Sequence, residues 1–355
     1  MKAAVHEDDL IPMAAEKNAF EKTTGSQRIV FLVWAPHSAR AKGICDGLGA
    51  HLHLMSYKFR SKIYSPIKYP LLFLRSLLLL NNQNPEIIIC QAPPIFCPLV
   101  ATVHKLTHRR VKVVIDLHSG ALEKPWSYLK PLNTAVMKKA AAVLVSNQEA
   151  HDHVLKENNI SPLILEDKIP GFDPALMHDD KGVENTPSGA DLTIIVPSSF
   201  AYDEPIEEIL HAAAALPETK FYLTGDSSKA GRNVLKRMPD NVVYTGFLKT
   251  DDYVRLLYRS NAIMVLTTRD KTLLAGAYEA VALQKPLITS NWAPLRRYFN
   301  KGTIHVNNSS AEIVEAVQTV QQKKIELKRE MGLLREEKIR EWEVAFARFR
   351  DALNN

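Results

Sequence analysis

Short apolar runs alternate with longer amphipathic stretches along most of the chain. Residues 28–34 (RIVFLVW), 86–90 (EIIIC), 111–115 (VKVVI) and 142–145 (AVLV) are rich in β-branched side chains. Unbroken runs of this kind mark strands buried on both faces, and the helical sequence between them supplies the crossovers a parallel sheet needs. The first run ends in Ala35-Pro36-His37-Ser38, a turn leading into a helix start. The pattern lapses over 168–191, which is rich in Pro, Gly, Asp and Ser and predicts a linker. It resumes at 192–196 (LTIIV), 221–223, 242–244, 262–266 (AIMVL) and 286–289. The chain therefore reads as two Rossmann-like α/β halves: a flexible tail over 1–27, a first half over 28–170, a linker over 171–190, a second half over 191–308, and C-terminal helices over 309–355. In that last segment Trp342, Phe346 and Phe349, spaced four and three apart, share one helix face. They predict a packing face on a closing helix that crosses back to the first half.

Composition narrows the picture. The 355 residues exceed the size at which one core usually stops growing, and 46% hydrophobic against 24% charged residues excludes a disordered chain. Three cysteines without CxxC spacing argue against a disulfide framework and suit a reducing, cytoplasmic setting. Residues 1–27 lack the apolar core of a signal peptide. A net charge of +6 suits phosphorylated substrates or an anionic membrane surface. With no dense Lys/Arg run interleaved with aromatics and no zinc-finger or RNA-recognition signature, nucleic acid is not an expected partner.

Residues 70–80 (PLLFLRSLLLL) are densely apolar but reach about half of the roughly 20 residues needed to span a bilayer. Together with the mixed basic and aromatic sequence before them, residues 57–80 form a candidate peripheral membrane surface. Lys68 and Arg75 fall on one helix face, and Ile67, Leu71, Leu74 and Leu78 on another. A core helix with a basic outer face fits the same pattern. His104 and His108 have ligand spacing but lack an HExxH glutamate or third ligand, His51 and His53 read as strand residues, and Gly43, Gly47 and Gly49 do not spell GxGxxG. No metal site is expected.

In open parallel sheets, ligands bind beyond the carboxyl ends of the strands, where helix N-termini favour anions. The most informative such point is 267–279 (TTRDKTLLAGAYE). There a turn carrying Arg269 and Lys271 leads into a helix opening at Thr272, Leu273 and Leu274, whose amides suit a diphosphate. Glu279, two turns on, is an acceptor-only carboxylate suited to ribose hydroxyls. Ser198, Ser199 and Phe247, at other strand ends, complete the donor-side candidates. In the first half, Asp116 and His118 follow an apolar strand and are the catalytic candidates. Asp116 is the expected base and His118 the contact to sugar or phosphate; the reverse assignment, or an Asp116 that merely caps a turn, also fits. His37, Ser38 and Arg40 open the first helix and, with Gln91, are placed on the acceptor or phosphate side.

Residues 276–290 resemble the donor-binding helix and following strand of GT-B glycosyltransferases. Lys271 stands where retaining members carry the first glutamate of an E-x7-E motif. Ser198-Ser-Phe-Ala-Tyr-Asp203-Glu204, Gln91-Ala-Pro93-Pro94 and Ile115-Asp116-Leu-His118 are similar to motifs of the chitobiosyldiphosphodolichol β-mannosyltransferases and related bacterial polysaccharide glycosyltransferases. The resemblance spans most of 28–300. It implies an α/β GT-B fold, two Rossmann-like domains with an interdomain cleft. It also implies transfer of a hexosyl group from a nucleoside diphosphate sugar, GDP-mannose or a UDP-sugar, to a lipid-linked or polysaccharide acceptor at the cytoplasmic membrane face. With no Asp-x-Asp in the chain, a metal-independent reaction is expected, the leaving diphosphate being stabilised by a helix dipole, Arg269, Lys271, Ser198 and Ser199. The missing Arg/Lys pair after the first strand of the second half favours inversion. The alternatives are a retaining transferase, a sugar-nucleotide epimerase of similar fold, and a non-catalytic sugar-nucleotide-binding subunit.

Overall fold

The computed structural model describes residues 27–57, 65–178, 192–226 and 238–354. The expected tail, the start of the 57–80 segment and most of the expected linker lie outside them. The chain divides into two units, one running to Lys168 and including Trp342–Asn355, the other spanning Ile169–Glu341.

In the first unit, β1 (Ile29–Val33), β2 (His51–Leu54), β3 (Ile87–Ala92), β4 (Lys112–Leu117), β5 (Ala142–Val145) and β6 (Leu163–Ile164) form one parallel sheet in the order β2-β1-β3-β4-β5-β6. Helices α1 (Ala39–Leu48), α2 (Ser65–Gln83), α3 (Phe96–Thr107), α4 (Lys130–Lys139) and α5 (Gln148–Asn158) connect the strands. Because side chains alternate across a strand, the two faces of the sheet bury different sets. Phe31, Ile87 and Ile89 pack on one side against Trp342, Phe346 and Phe349 of the C-terminal helix. Val30, Leu32 and Ile88 pack on the other against Leu72 and Leu80 of α2 and Val100 of α3.

The second unit opens with α6 (Pro174–His178) and continues β7 (Leu192–Pro197), α7 (Ile206–Ala214), β8 (Thr219–Thr224), β9 (Val242–Gly246), α8 (Thr250–Arg259), β10 (Ala262–Val265), α9 (Ala275–Ala282), β11 (Leu287–Ser290), α10 (Ala293–Tyr298) and β12 (Thr303–Val306). Its parallel sheet has the order β12-β11-β10-β7-β8-β9. The final helix, α11 (Ser310–Asn354), leaves helical geometry once, at Lys323 (φ −117, ψ 20). Its first part gives Ile313 and Val317 to the core of this unit, and its last part belongs with the first unit, where Trp342 stacks on Phe346 at 4.5 Å.

Each sheet has a point where the strand order reverses, between β1 and β3 in the first unit and between β7 and β10 in the second. Adjacent crossovers leave such a point on opposite faces of the sheet, which opens a crevice at the carboxyl ends of those strands.

Candidate functional site

At the first reversal, α1 starts just beyond β1. The Ser38 hydroxyl caps it by accepting from the Ala41 amide at 3.2 Å, so Ser38 owes its place to helix capping. The capped helix turns Arg40 inward. Its Nε donates to Asp116 Oδ1 at 2.7 Å, and its Nη1 donates to Asp167 Oδ1 and the Leu165 carbonyl, each at 2.7 Å. Gln91, near the end of β3, donates through Nε2 to Ser38 Oγ and Asp116 Oδ2, both at 3.1 Å, and that nitrogen lies 2.8 Å from His118 Nε2. His118 Nε2 is 3.4 Å from Asp116 Oδ2. The parallel register sets Gln91 beside Asp116, so β3 and β4 bring these side chains to one end of the sheet. His37 stands exposed in the preceding turn.

Strand β4 runs through Leu117, two residues beyond the expected end, which buries Asp116 completely. Burial, the largest single influence, would raise its carboxyl, but the Arg40 guanidinium together with His118 and Gln91 outweighs burial and holds it well below the ordinary carboxylate range. The arrangement bears on two of the expected roles. A fully buried, firmly ionised carboxylate has little appetite for a proton and no access to an acceptor, so Asp116 is ill suited to be the base. Arg40, with only 4% of its side chain exposed, is the counter-ion of Asp116 and Asp167, not a surface cation awaiting phosphate. Two members of the group reach outward, His118 with its side chain 36% exposed and Asp167 with 37%.

At the second reversal, the loop after β7 holds Ser198 and Ser199. Both hydroxyls donate to Glu204, Ser199 Oγ at 2.6 Å from Oε1, and the Ser199 amide adds a bond at 3.0 Å. Both hydroxyl protons are thus directed at a carboxylate. Gly225 (φ +124) keeps this loop close to the end of β8, since a Cβ there would lie 2.1 Å from the Ser198 carbonyl oxygen.

The loop from β10 to α9 is braced from below. Thr267 is buried; its hydroxyl donates to Asp203 Oδ2 at 2.7 Å, and its carbonyl accepts from Trp292 Nε1 at 2.8 Å and Asn308 Nδ2 at 2.9 Å. Lys271 is exposed and Arg269 half-buried above this brace. Helix α9 begins at Ala275, so the outward amides of its first turn belong to Ala275 and Gly276, three residues later than Thr272 to Leu274. Leu273 and Leu274 instead lean on the core beneath the helix. No side chain caps this N-terminus, no acid lies in its first turn, and the buried Thr272 hydroxyl has no hydrogen-bond partner. A buried hydroxyl beside a helix start with free amides is chemistry suited to an anion.

Glu279, one turn into α9, accepts from the Tyr253 hydroxyl of α8 at 2.5 Å. Burial raises its carboxyl to about 7 against the opposing effect of that bond. Phe247, at the tip of β9, is 85% exposed, an open aromatic face. Tyr253, Glu204 and Asp167 were not legible as site residues in the sequence. Each acts through a partner supplied by folding, and only Glu204, inside a quoted motif, carried any signal. Among the described residues no group of three His, Cys, Asp or Glu side chains comes together to hold a metal, and no helix is long and apolar enough to cross a membrane. His104 and His108 stack on each other at 4.0 Å.

Residues 204–343 match the family described as "Glycosyl transferase-like". No curated protein is similar to the chain by sequence. Among solved structures, HepE of Anabaena, crystallised with UDP and glucose, superposes with a TM-score of 0.68 at 12% identity, over 93% of this chain and all of that one. Sucrose-phosphate synthase of Thermosynechococcus elongatus gives 0.66 at 13% identity over 92% and 98% of the two chains, and a glycosyltransferase of Rickettsia africae gives 0.66 at 12% over the same shares. Two parallel six-stranded sheets with this connectivity are the GT-B architecture. The chain thus has the GT-B fold, and its residues 204–343 are similar to a glycosyl transferase-like family.

Proposed function

We propose that the protein transfers a hexosyl group from a nucleoside diphosphate sugar to a lipid-linked or polysaccharide acceptor, with inversion at the anomeric carbon. The observation that carries this reading is that both candidate clusters gather at the strand-order reversals of their sheets. The UDP bound by HepE suggests a UDP-sugar as the first donor to try. The α9 N-terminus, Thr272, Arg269 and Lys271 receive the diphosphate. Glu279, steadied by Tyr253, accepts from the ribose hydroxyls, and Phe247 offers its ring to the base.

In the transfer, the acceptor hydroxyl oxygen bonds to the anomeric carbon as the bond from that carbon to the diphosphate oxygen breaks. The hydroxyl proton passes to the imidazole of His118, and the ionised Asp116 behind it stabilises the imidazolium. Asp116 is thereby a positioning residue and His118 the base. The electron pair leaves with the nucleoside diphosphate, whose growing charge meets the helix dipole and the two cations. The role of a metal ion is absent from this scheme, in keeping with the lack of Asp-x-Asp in the sequence.

The test uses the purified full chain with a panel of UDP- and GDP-hexoses and lipid-linked acceptors, measuring nucleotide release and product anomer. His118→Ala is expected to lose transfer by roughly 100-fold or more while retaining donor binding. Glu279→Ala is expected to weaken donor binding. Unchanged turnover in both variants would remove these assignments. A retained anomer would move the chemistry to the retaining class, and a changed sugar released without acceptor would identify an epimerase.

A further inference from the structure

Helix α2 buries one side and leaves an apolar stripe on the other. Leu72 and Leu80 are fully buried, whereas Ile67, Leu71, Leu74 and Leu78 are 50, 37, 57 and 57% exposed. At about 100° per residue these four fall within an arc of about 60°, opposite the side that carries Leu72, Ser76 and Leu80. Along the axis they cover about 17 Å. Single exposed leucines are ordinary on a protein surface, but a contiguous row of four large aliphatic side chains marks an interaction face.

Charge indicates what covers it. No Asp or Glu occurs from 65 to 83, while Lys68 and Arg75 flank the stripe on one side. Arg75 lies over the Tyr57 ring at 5.9 Å, which holds the guanidinium along that flank. His104 Nδ1 is 3.0 Å from Asn81 Oδ1, so the C-terminal ends of α2 and α3 lie together. Exposed Leu106, Arg109 and Arg110 follow at that end. A second copy of this face would set the same cations against one another with no acid to meet them. An anionic bilayer offers both acyl chains for the stripe and phosphates for the cations.

We propose that α2 docks the first unit onto an anionic lipid surface, lying in the interfacial plane with Ile67, Leu71, Leu74 and Leu78 immersed and Lys68, Arg75, Arg109 and Arg110 against the headgroups. The stripe is too short to span, so the contact is peripheral and reversible. Docking of this kind stands apart from the transfer chemistry and holds whatever the donor.

Sedimentation of the full chain with vesicles tests it, using phosphatidylcholine alone and phosphatidylcholine mixed with phosphatidylglycerol. The wild-type protein is expected to pellet with the mixed vesicles. The Leu74→Ser/Leu78→Ser variant is expected to lose roughly tenfold or more of that partitioning, with an unchanged Tm and unchanged donor turnover in solution. Lys68→Glu/Arg75→Glu should abolish the preference for anionic lipid. Wild-type protein that stays in the supernatant overturns the proposal. So does binding that high salt removes but the serine variant does not, which is adsorption by charge alone. A dimer in light scattering that the serine variant dissociates, without vesicle binding, would reassign the stripe to contact between copies.

Discussion

The Tyr253–Glu279 pair shows how one hydrogen bond tunes a buried carboxylate. Burial raises Glu279 to about 7, and the Tyr253 hydroxyl opposes that rise by favouring the charged form. Above about 7 the side chain accepts only, as two ribose hydroxyls require; below it the group is protonated and loses acceptor capacity. Donor affinity is therefore expected to fall as pH drops through about 7. Tyr253→Phe should move that midpoint upward, since it removes the bond that favours ionisation. Calorimetric titration with donor across pH measures both, and a pH-independent affinity in the wild-type protein would deny Glu279 its role. The sign for stability is opposite. A folded-state value raised above the ordinary 4.5 stabilises the fold at acid pH, and that contribution disappears as pH rises through about 7. Glu279 thus destabilises the folded chain at the pH where it would bind donor, a pattern common to functional residues.

At the scale of elements, the position of α9 depends on a close approach. A Cβ on Gly276 would lie 2.6 Å from Val265 Cγ1 of β10, so the helix packs on its strand at a distance only glycine permits. Gly276→Ala is expected to cost about 1–3 kcal/mol in urea unfolding through overpacking. Val265→Ala in the same chain should recover part of that loss, and equal stability of Gly276→Ala and wild type would show the contact to be slack. The helix was legible in the sequence, but its start was placed at Thr272, three residues early. Nothing in TLLAG distinguishes an extended approach from a first turn, and the leucines enter the core before the helix begins. In a similar way, β4 runs past Ile115 because Asp116 finds a buried cation. A charged residue in an apolar run normally argues for a strand end, and Arg40, 76 residues away, overrides that rule.

On the scale of the whole molecule, the last residues of the chain complete the core of the first unit. Phe349 is 1% exposed and packs with Phe31 and Ile89, and Lys112 Nζ donates to the Leu353 carbonyl at 2.8 Å. Phe349→Ala should destabilise this unit by about 3–5 kcal/mol, read from its unfolding transition. An unmoved transition would mean that the C-terminal segment is dispensable to that core. The aromatic spacing of 342, 346 and 349 was visible in the sequence because helix periodicity is local. For α2, periodicity alone allowed a core helix or an interfacial one. The structure has both: Leu72 and Leu80 face the sheet while the row from Ile67 to Leu78 faces outward.

By itself the sequence determined what depends on neighbours along the chain. Runs of β-branched residues separated by amphipathic segments specify alternating strands and helices, and that alternation leads to two parallel α/β units. Residues such as Asp116, His118 and Glu279 could be singled out because polar groups at the ends of apolar strands are conspicuous. Tertiary structure alone decided the order of the strands, and therefore which loops meet at each reversal. It set Arg40 on Asp116, Glu204 on Ser198 and Ser199, and Tyr253 on Glu279. These pairings depend on register and packing between distant segments, and neither periodicity nor composition carries that information.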